Sequence, residues 1–284
     1  MSERRSILWF LAITVVISWP LFLLPLAFSD TPAATRQTVA LVGWSLAMFA
    51  PAIAALLTVR LIAGERLSSL NLRRLGPKRY YLWAWLLPPL LAIVALLSTL
   101  LLGFGQLDPT FALIRSAIPA GAEGAIAPVG VVVAGQIMAA FTIAPLINII
   151  PAMGEELGWR GFLLPRLMHL GKWRAIGLSN VIWGFWHAPA ILQGHNYPEN
   201  PVLGVFLMVG FCLLIGAIFS WLYLQTESAW APALAHGSLN ATAGLPILFL
   251  APGVNATLGG TLASVAGWIG LALFVAWLVA TRRL

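Results

Sequence analysis

Three charged residues stand close together in an otherwise apolar part of this sequence, at Glu155, Glu156 and Arg160. The chain has only 9 Asp and Glu among its 284 residues, and two of them are neighbours here. A charged side chain near the centre of a bilayer costs about 2.5–3.5 kcal/mol on the insertion scale, so residues of this kind mark functional sites. Glu156 and Arg160 are four residues apart, which predicts an ion pair on one helix face. We therefore expect the chemistry to lie at this run.

Two histidines are candidate partners for these carboxylates, because each falls in the middle of an apolar segment. They are His187 and His236, and each belongs to a different segment from the glutamates. If the helix that carries Glu155 extends far enough, the carboxylate and the two imidazoles reach a similar depth. The other two histidines, His169 and His195, fall in turns and are predicted to be solvated.

The spacing around the two apolar histidines adds an amide and an indole to the candidate site. His236 and Asn240 are four residues apart, so both side chains can point at one spot on a helix face. Trp183 and His187 have the same interval, and the ring of Trp183 is expected to form a wall of the site.

Such a set of groups can perform peptide hydrolysis. A buried carboxylate with a nearby imidazole, here Glu155 with His187, can take a proton from water and make it a nucleophile. A second imidazole and an amide, here His236 with Asn240, can donate hydrogen bonds to the oxyanion of a tetrahedral intermediate.

The same residues leave a metal-dependent reaction open. Two histidines and one glutamate form a known catalytic zinc set, so Glu155, His187 and His236 are the candidate ligands of a divalent metal such as zinc. The only cysteine, Cys212, excludes a site made of several cysteines. The spacing does not choose between a cofactor-free and a metal-dependent site.

The elements that position these residues are predicted to be membrane helices. Hydrophobic residues make up 60% of the chain and charged residues 9%, with a mean hydropathy of +0.92. We predict an all-α polytopic membrane protein of about eight transmembrane helices, forming one integral membrane domain over 1–284 with its motif-bearing core at about 126–250. The predicted spans are 7–28, 38–62, 80–104, 128–153, 174–193, 202–225, 229–250 and 258–281.

The net charge of +7 is explained by membrane topology and predicts no nucleic-acid partner. If both termini are cytoplasmic and eight spans are crossed, fourteen Lys and Arg lie on the cytoplasmic side and only Arg36 and Arg115 on the other. This asymmetry agrees with the positive-inside rule. The expected surroundings are a lipid bilayer, in the plasma membrane of a prokaryote.

The depth of Glu155 depends on where the fourth span ends. Pro145 and Pro151 interrupt the segment 126–170, which is too long for one span. In one register the helix ends near Met153 and the charged run emerges at the cytoplasmic surface. In the other the helix continues to about Leu170, which buries Glu155 by roughly 22 Å of helix at 1.5 Å per residue.

The three motifs in this order resemble the CPBP (CAAX protease and bacteriocin-processing, or Abi) family, which includes the type II CAAX prenyl endopeptidases. The resemblance covers about residues 150–245. Trp183 stands where many members have Phe. The matching motifs are Glu155-Glu156-x-x-x-Arg160, Trp183-x-x-x-His187 and His236-x-x-x-Asn240.

The resemblance implies an eight-helix intramembrane endopeptidase that opens to the cytoplasm. It implies that Glu155 and His187 activate water, and that His236 and Asn240 stabilise the oxyanion. Glu156, Arg160 and Trp183 are implied as supporting residues. The implied substrate is a membrane-associated peptide, either prenylated or a leader peptide. A non-catalytic membrane adaptor or bacteriocin-immunity protein on the same scaffold is the alternative, and a proton-relaying transporter is a third.

Overall fold

Helices make up the fold over residues 3–118 and 127–284, which are the residues that the computed structural model describes, and no strand occurs in these ranges. The prediction of an all-α membrane protein is therefore confirmed. The α-helices are α1 Glu3–Leu23, α2 Ala33–Ala47, α3 Ala50–Leu57, α4 Arg79–Leu101, α5 Ala112–Ser116, α6 Val129–Phe141, α7 Ile143–Glu156, α8 Leu164–Leu167, α9 Lys172–Trp186, α10 Ala188–Ile191, α11 Pro201–Thr226, α12 Trp230–Thr242 and α13 Trp268–Ala280. Short 3₁₀ and π segments extend them at Leu24–Phe28, Thr58–Ile62, Leu67–Leu70, Leu157–Leu163, Met168–Leu170 and Leu245–Phe249.

The predicted count of eight spans is not confirmed. In the described ranges, four helical segments are long and apolar enough to cross a membrane, and a bent pair makes a fifth. The four are Glu3–Phe28, Ala33–Ile62, Arg79–Leu101 and Pro201–Thr226, and the bent pair is Val129–Phe141 with Ile143–Leu170.

The predicted spans 174–193, 229–250 and 258–281 are shorter as helices, since α9, α12 and α13 have only 15, 13 and 13 residues. Prolines account for two of these ends. The ring of a proline clashes with the carbonyl four residues earlier. Pro189 stands four residues after Phe185, and α9 ends one residue later, at Trp186. Pro246 stands four residues after Thr242, where α12 ends.

The predicted span 128–153 is wrong at both its middle and its end. The chain bends by 49° at Thr142 and then runs as one helical segment from Ile143 to Leu170. Pro145 disfavours a helical carbonyl at Phe141, and that carbonyl accepts a hydrogen bond of 2.8 Å from Nε1 of Trp85. The register in which the helix continues to Leu170 is therefore the observed one, with Glu155 well inside it.

One end of the helical bundle collects most of the basic residues, and we call it the basic end. Ion pairs join the segments there: Arg166 with Glu65 at 2.6 Å, and Arg74 with Glu227 at 2.5 Å. The indole of Trp230 donates to the carbonyl of Leu72 at 2.9 Å. These contacts bring the 65–74 loop, the end of the 143–170 helical segment and the α11–α12 turn to the same end.

Loops from distant parts of the chain meet at the other end. Leu107 pairs with Leu250, and the hydroxyl of Tyr197 donates to the carbonyl of Ala263 at 2.8 Å. Gln193 donates to the carbonyl of Phe22, near the end of α1, at 2.8 Å. The 192–200 loop therefore lies opposite the basic end.

Close helix packing between α7 and α12 sets the position of the late motifs. Gly237 lies so near α7 that a Cβ on it would stand 2.7 Å from the carbonyl oxygen of Pro145. Gly158 similarly lies against Pro51, and Gly184 against Val209. Small residues allow such approach in membrane helices. The approach at Gly237 brings His236, its neighbour, next to the charged run.

Candidate active site

A π-helical segment carries the charged run. Glu155 and Glu156 end α7, and Leu157–Leu163 continues the helix with the wider π winding. Single π turns inside α-helices are frequent at functional sites. Glu155, Glu156 and Arg160 are all buried, with at most 2% of each side chain exposed. The helix thus places three charged side chains in the interior of the protein, away from its outer surface.

Arg160 neutralises Glu156 in a buried ion pair, as the spacing predicted. Its Nη1 donates to both carboxylate oxygens, at 2.8 and 2.9 Å, and its Nη2 donates to Oδ1 of Asn180 at 2.9 Å. The guanidinium also lies over the ring of Trp183, 4.2 Å from its centroid, and within 5.3 Å of that of Phe219. Pairing, hydrogen bonding and aromatic contact together offset the cost of burying the arginine.

His236 binds the same carboxylate from another helix. Its Nδ1 lies 2.8 Å from Oε1 of Glu156. The carboxylate only accepts hydrogen bonds when ionised, so Nδ1 carries the proton and donates. The ring stacks on Phe219 with centroids 5.5 Å apart. The orientation of His236 is therefore fixed on two sides, and its Nε2 is left for other partners.

Glu155 has a different environment from its neighbour. Its Oε2 accepts a hydrogen bond of 2.7 Å from Nε1 of Trp183, while Oε1 has no hydrogen-bond partner among the described residues. Nδ1 of His187 lies 2.9 Å from the carbonyl oxygen of Trp183 and donates to it, which again leaves Nε2 free. Trp183 thus orients both the carboxylate and the imidazole that the sequence pairs for water activation.

One cavity of about 450 Å³ brings the predicted residues together. Glu155, Trp183, His187, His236 and Asn240 all line it. Glu155, Trp183 and His236 are buried, His187 is half-buried, and Asn240 is exposed. The sequence therefore identified residues of four chemical types that share one cavity, although their catalytic roles stay a prediction.

Three residues of the site were missed or misjudged from the sequence. Asn180 holds Arg160, and its one available signal was a lone amide in the apolar part of α9. Phe219 stacks on His236, but nothing distinguishes it from other aromatic residues of α11. His195 was expected to be simply solvated; it is exposed, yet it lines the cavity and its ring packs against Trp44 with centroids 4.9 Å apart.

The candidate metal ligands do not form a metal site in this arrangement. Among residues 3–118 and 127–284, no group of three His, Cys, Asp or Glu is close enough to hold an ion, and Glu155, His187 and His236 are no exception. Nδ1 of each histidine and Oε2 of Glu155 bind protein partners, so the atoms left for a metal are Nε2 of each histidine and Oε1 of Glu155. These three residues would have to come closer together to hold an ion.

Comparison with known families supports the resemblance seen in the motifs. Residues 136–242 match the family model described as type II CAAX prenyl endopeptidase Rce1-like. The matched range contains all four predicted catalytic residues and Asn180. A comparison with curated proteins gives no match.

Proposed function

Because residues 136–242 are an Rce1-like domain in a membrane protein, we propose that the chain is an intramembrane endopeptidase that uses water activated by Glu155 and His187. Its substrate is a membrane-associated peptide. The observation that carries this proposal is the pair of oriented groups on one cavity: Glu155 with one oxygen unpaired, and His187 with Nε2 free.

Water activation follows from the hydrogen bonds of these two groups. Trp183 holds Oε2 of Glu155, so the unpaired Oε1 is the oxygen that accepts a proton from water. The hydroxide equivalent then attacks the carbonyl carbon of the scissile peptide bond. His187, through Nε2, is the second group that can hold the water or carry its proton. The proton finally goes to the departing amine nitrogen as the C–N bond breaks.

Stabilisation of the oxyanion is assigned to the opposite wall of the cavity. Asn240 offers an amide N–H₂, and His236 offers Nε2 when its ring is fully protonated. Since Nδ1 of His236 donates to Glu156, a second proton on Nε2 would give an imidazolium beside a carboxylate, which is a favourable pair. Donors of this kind typically contribute about 10²–10³-fold to the rate of acyl transfer.

Arg160, Glu156 and Asn180 support the site without facing the reacting bond. Arg160 is held by Glu156 and Asn180, and Glu156 in turn holds His236. This buried cluster links α9 and α12 to the end of α7. Its proposed role is to keep the imidazole of His236 in position.

A comparison of cleavage products in cells tests the proposal and requires no chosen substrate. Cells expressing the wild-type chain or Glu155→Gln would have the new N-termini in their membrane fraction labelled and identified by mass spectrometry. We expect a set of new termini that Glu155→Gln removes. Glu227→Gln, in the α11–α12 turn at the basic end, is the matched control and should retain them, since Glu227 is exposed and, among the described residues, pairs only with the exposed Arg74.

The opposite result would favour the non-catalytic alternative. If wild type and Glu155→Gln give the same termini while both proteins are present at equal levels, the chain is not a protease of this mechanism. An adaptor on the same scaffold would keep its cellular effect with both Glu155→Gln and His187→Ala.

A further inference from the structure

The cavity has a closed floor and an open mouth, and the two lie at different depths of the bundle. Buried residues form the floor, namely Glu155, Trp183 and His236. Exposed residues form the mouth, which we define as Leu41, His195, Asn240 and Gly244. A peptide therefore reaches Glu155 by passing the mouth.

The mouth lies at the end of the bundle opposite the basic end. His195 belongs to the 192–200 loop, and it packs on Trp44, whose indole donates to the carbonyl of Phe22 at the end of α1. Gly244 lies just beyond the end of α12, and α12 starts at Trp230 beside the 65–74 loop. Contacts at the mouth thus come from the far ends of α1 and α12.

The floor separates the cavity from the basic end. Arg166 follows Glu155 by 11 residues, about 16 Å along the helix at 1.5 Å per residue. The described residues that line the cavity include none from the 65–74 loop, the 166–174 segment or the α11–α12 turn. Arg160, Phe162 and Leu163 follow Glu155 along the helix toward the basic end, and all three are buried. The cavity that Glu155 lines, as the described residues form it, therefore does not extend to the basic end.

The distribution of Lys and Arg indicates which end of the bundle faces the cytoplasm. Apart from Arg36, Arg115 and the buried Arg160 of the site, the other thirteen of the 16 Lys and Arg belong to segments of the basic end. The positive-inside rule places such an end in the cytoplasm. We infer that the site opens to the extracytoplasmic side, contrary to the cytoplasmic opening that the family resemblance implied. This inference rests on the proposed function only in naming the occupant of the cavity as a substrate.

The direction of access defines a class of substrate. A peptide that enters at His195 comes from the outer half of the membrane or from outside it. The chemistry that fits is an apolar, membrane-anchored or leader-type segment, since Trp44, Phe22 and Phe211 line the way and Glu155 is the only acidic residue among the described lining residues. A peptide that carries its lipid at a C-terminus on the cytoplasmic side would meet the closed floor.

Cysteine labelling measures the direction of access directly. The chain has one cysteine, so Cys212→Ala gives a background without thiols. His195→Cys places a thiol at the mouth, and Arg174→Cys, also exposed, places one at the basic end. Intact cells and permeabilised cells would be treated with a membrane-impermeant maleimide, and labelling read by mass shift. We expect His195→Cys to label in intact cells, and Arg174→Cys only after permeabilisation.

Two results would overturn the inference. One is labelling of His195→Cys only after permeabilisation, and the other is labelling of both positions in intact cells, which would mean mixed orientation. The cysteine-free background, carrying Cys212→Ala alone, is the control for non-specific reaction.

The labelled protein also separates this inference from the proposed function. Cleavage by His195→Cys should fall at least fivefold after labelling relative to the same protein unlabelled, whereas labelling Arg174→Cys should leave cleavage unchanged. If labelling comes from the cytoplasmic side while Glu155→Gln abolishes cleavage, the protease proposal stands and the direction of access is wrong. If His195→Cys labels from outside and Glu155→Gln has no effect on cleavage, the direction of access stands and the protease proposal is wrong.

Discussion

Nδ1 of His236 lies 2.8 Å from Oε1 of Glu156, although the two residues are 80 positions apart in the chain. The same oxygen accepts from Nη1 of Arg160 at 2.8 Å. Glu156 is thus fully engaged, while Glu155 keeps one oxygen without a partner among the described residues. Two adjacent glutamates therefore have separate roles, and substitutions at them should have different effects.

Glu155→Gln should abolish cleavage without unfolding the protein. The amide is nearly isosteric with the carboxyl group and can still accept from Trp183, but it cannot take a proton from water. We expect a fall in kcat of at least about 10³-fold, with a thermal unfolding temperature in detergent close to that of the wild type. A variant that cleaves at more than a tenth of the wild-type rate would remove Glu155 from the mechanism.

Glu156→Gln should reduce stability as well as activity. The change leaves the buried guanidinium of Arg160 without its carboxylate, and breaking one partner of a buried ion pair costs about 3–5 kcal/mol. Thermal unfolding followed by intrinsic tryptophan fluorescence would measure this loss. Equal unfolding temperatures for Glu155→Gln and Glu156→Gln would contradict the division of roles.

Asn180→Ala should lower activity through Arg160. Nη2 of Arg160 loses its acceptor, and an unsatisfied buried donor costs about 1–3 kcal/mol. Ser179→Ala is the matched control, because Ser179 is also buried but its hydroxyl donates only to the carbonyl of Ile176 in its own helix. We expect a tenfold or greater loss of kcat/KM for Asn180→Ala and little change for Ser179→Ala.

Trp183→Phe should keep part of the activity, and Trp183→Ala should not. Phenylalanine retains an aromatic face for Arg160 but lacks the indole N–H that orients Glu155. A hydrogen bond to a charged group contributes about 1.5–3 kcal/mol, so we expect kcat/KM to fall about 10- to 100-fold for Trp183→Phe. Equal activity of the two variants would show that the ring contributes nothing beyond the hydrogen bond.

Chelators should leave cleavage unchanged. Glu155, His187 and His236 do not form a metal-binding group among the described residues. Activity in liposomes would be compared with and without EDTA and 1,10-phenanthroline, and metal content measured on the same preparation. Loss of cleavage on chelation, restored by added zinc, would require a rearranged site.

Local spacing explains why much of the site was predictable. The ion pair of Glu156 and Arg160 depends on a four-residue interval, and such an interval is visible in any sequence. The apolar surroundings of His187 and His236 made them candidates in the same way. The all-α membrane fold followed from composition, which is a property of the whole chain. The prediction of a single domain over 1–284 stays a prediction.

Contacts between distant segments explain what was not predictable. Pro145 was visible as an interruption of its segment. Hydropathy measures how apolar a window is, and it does not show that the indole of Trp85 binds the carbonyl of Phe141 at the bend. The role of the amide of Asn180 is to accept a hydrogen bond from Arg160, which lies on another helical segment. The cavity mouth at His195 depends on the packing of three segments, and no local pattern encodes it.

The π-helical winding of Leu157–Leu163 determines how far the residues after it are rotated about the helix axis relative to α7, which precedes it. Each residue of an α-helix turns the chain by about 100°. Deleting one residue in this stretch would restore regular winding, and it would also rotate Glu155 away from Trp183 while Arg166 stayed anchored to Glu65. The one additional residue of the π segment therefore allows Glu155 to face the cavity while Arg166, further along the same helix, faces Glu65.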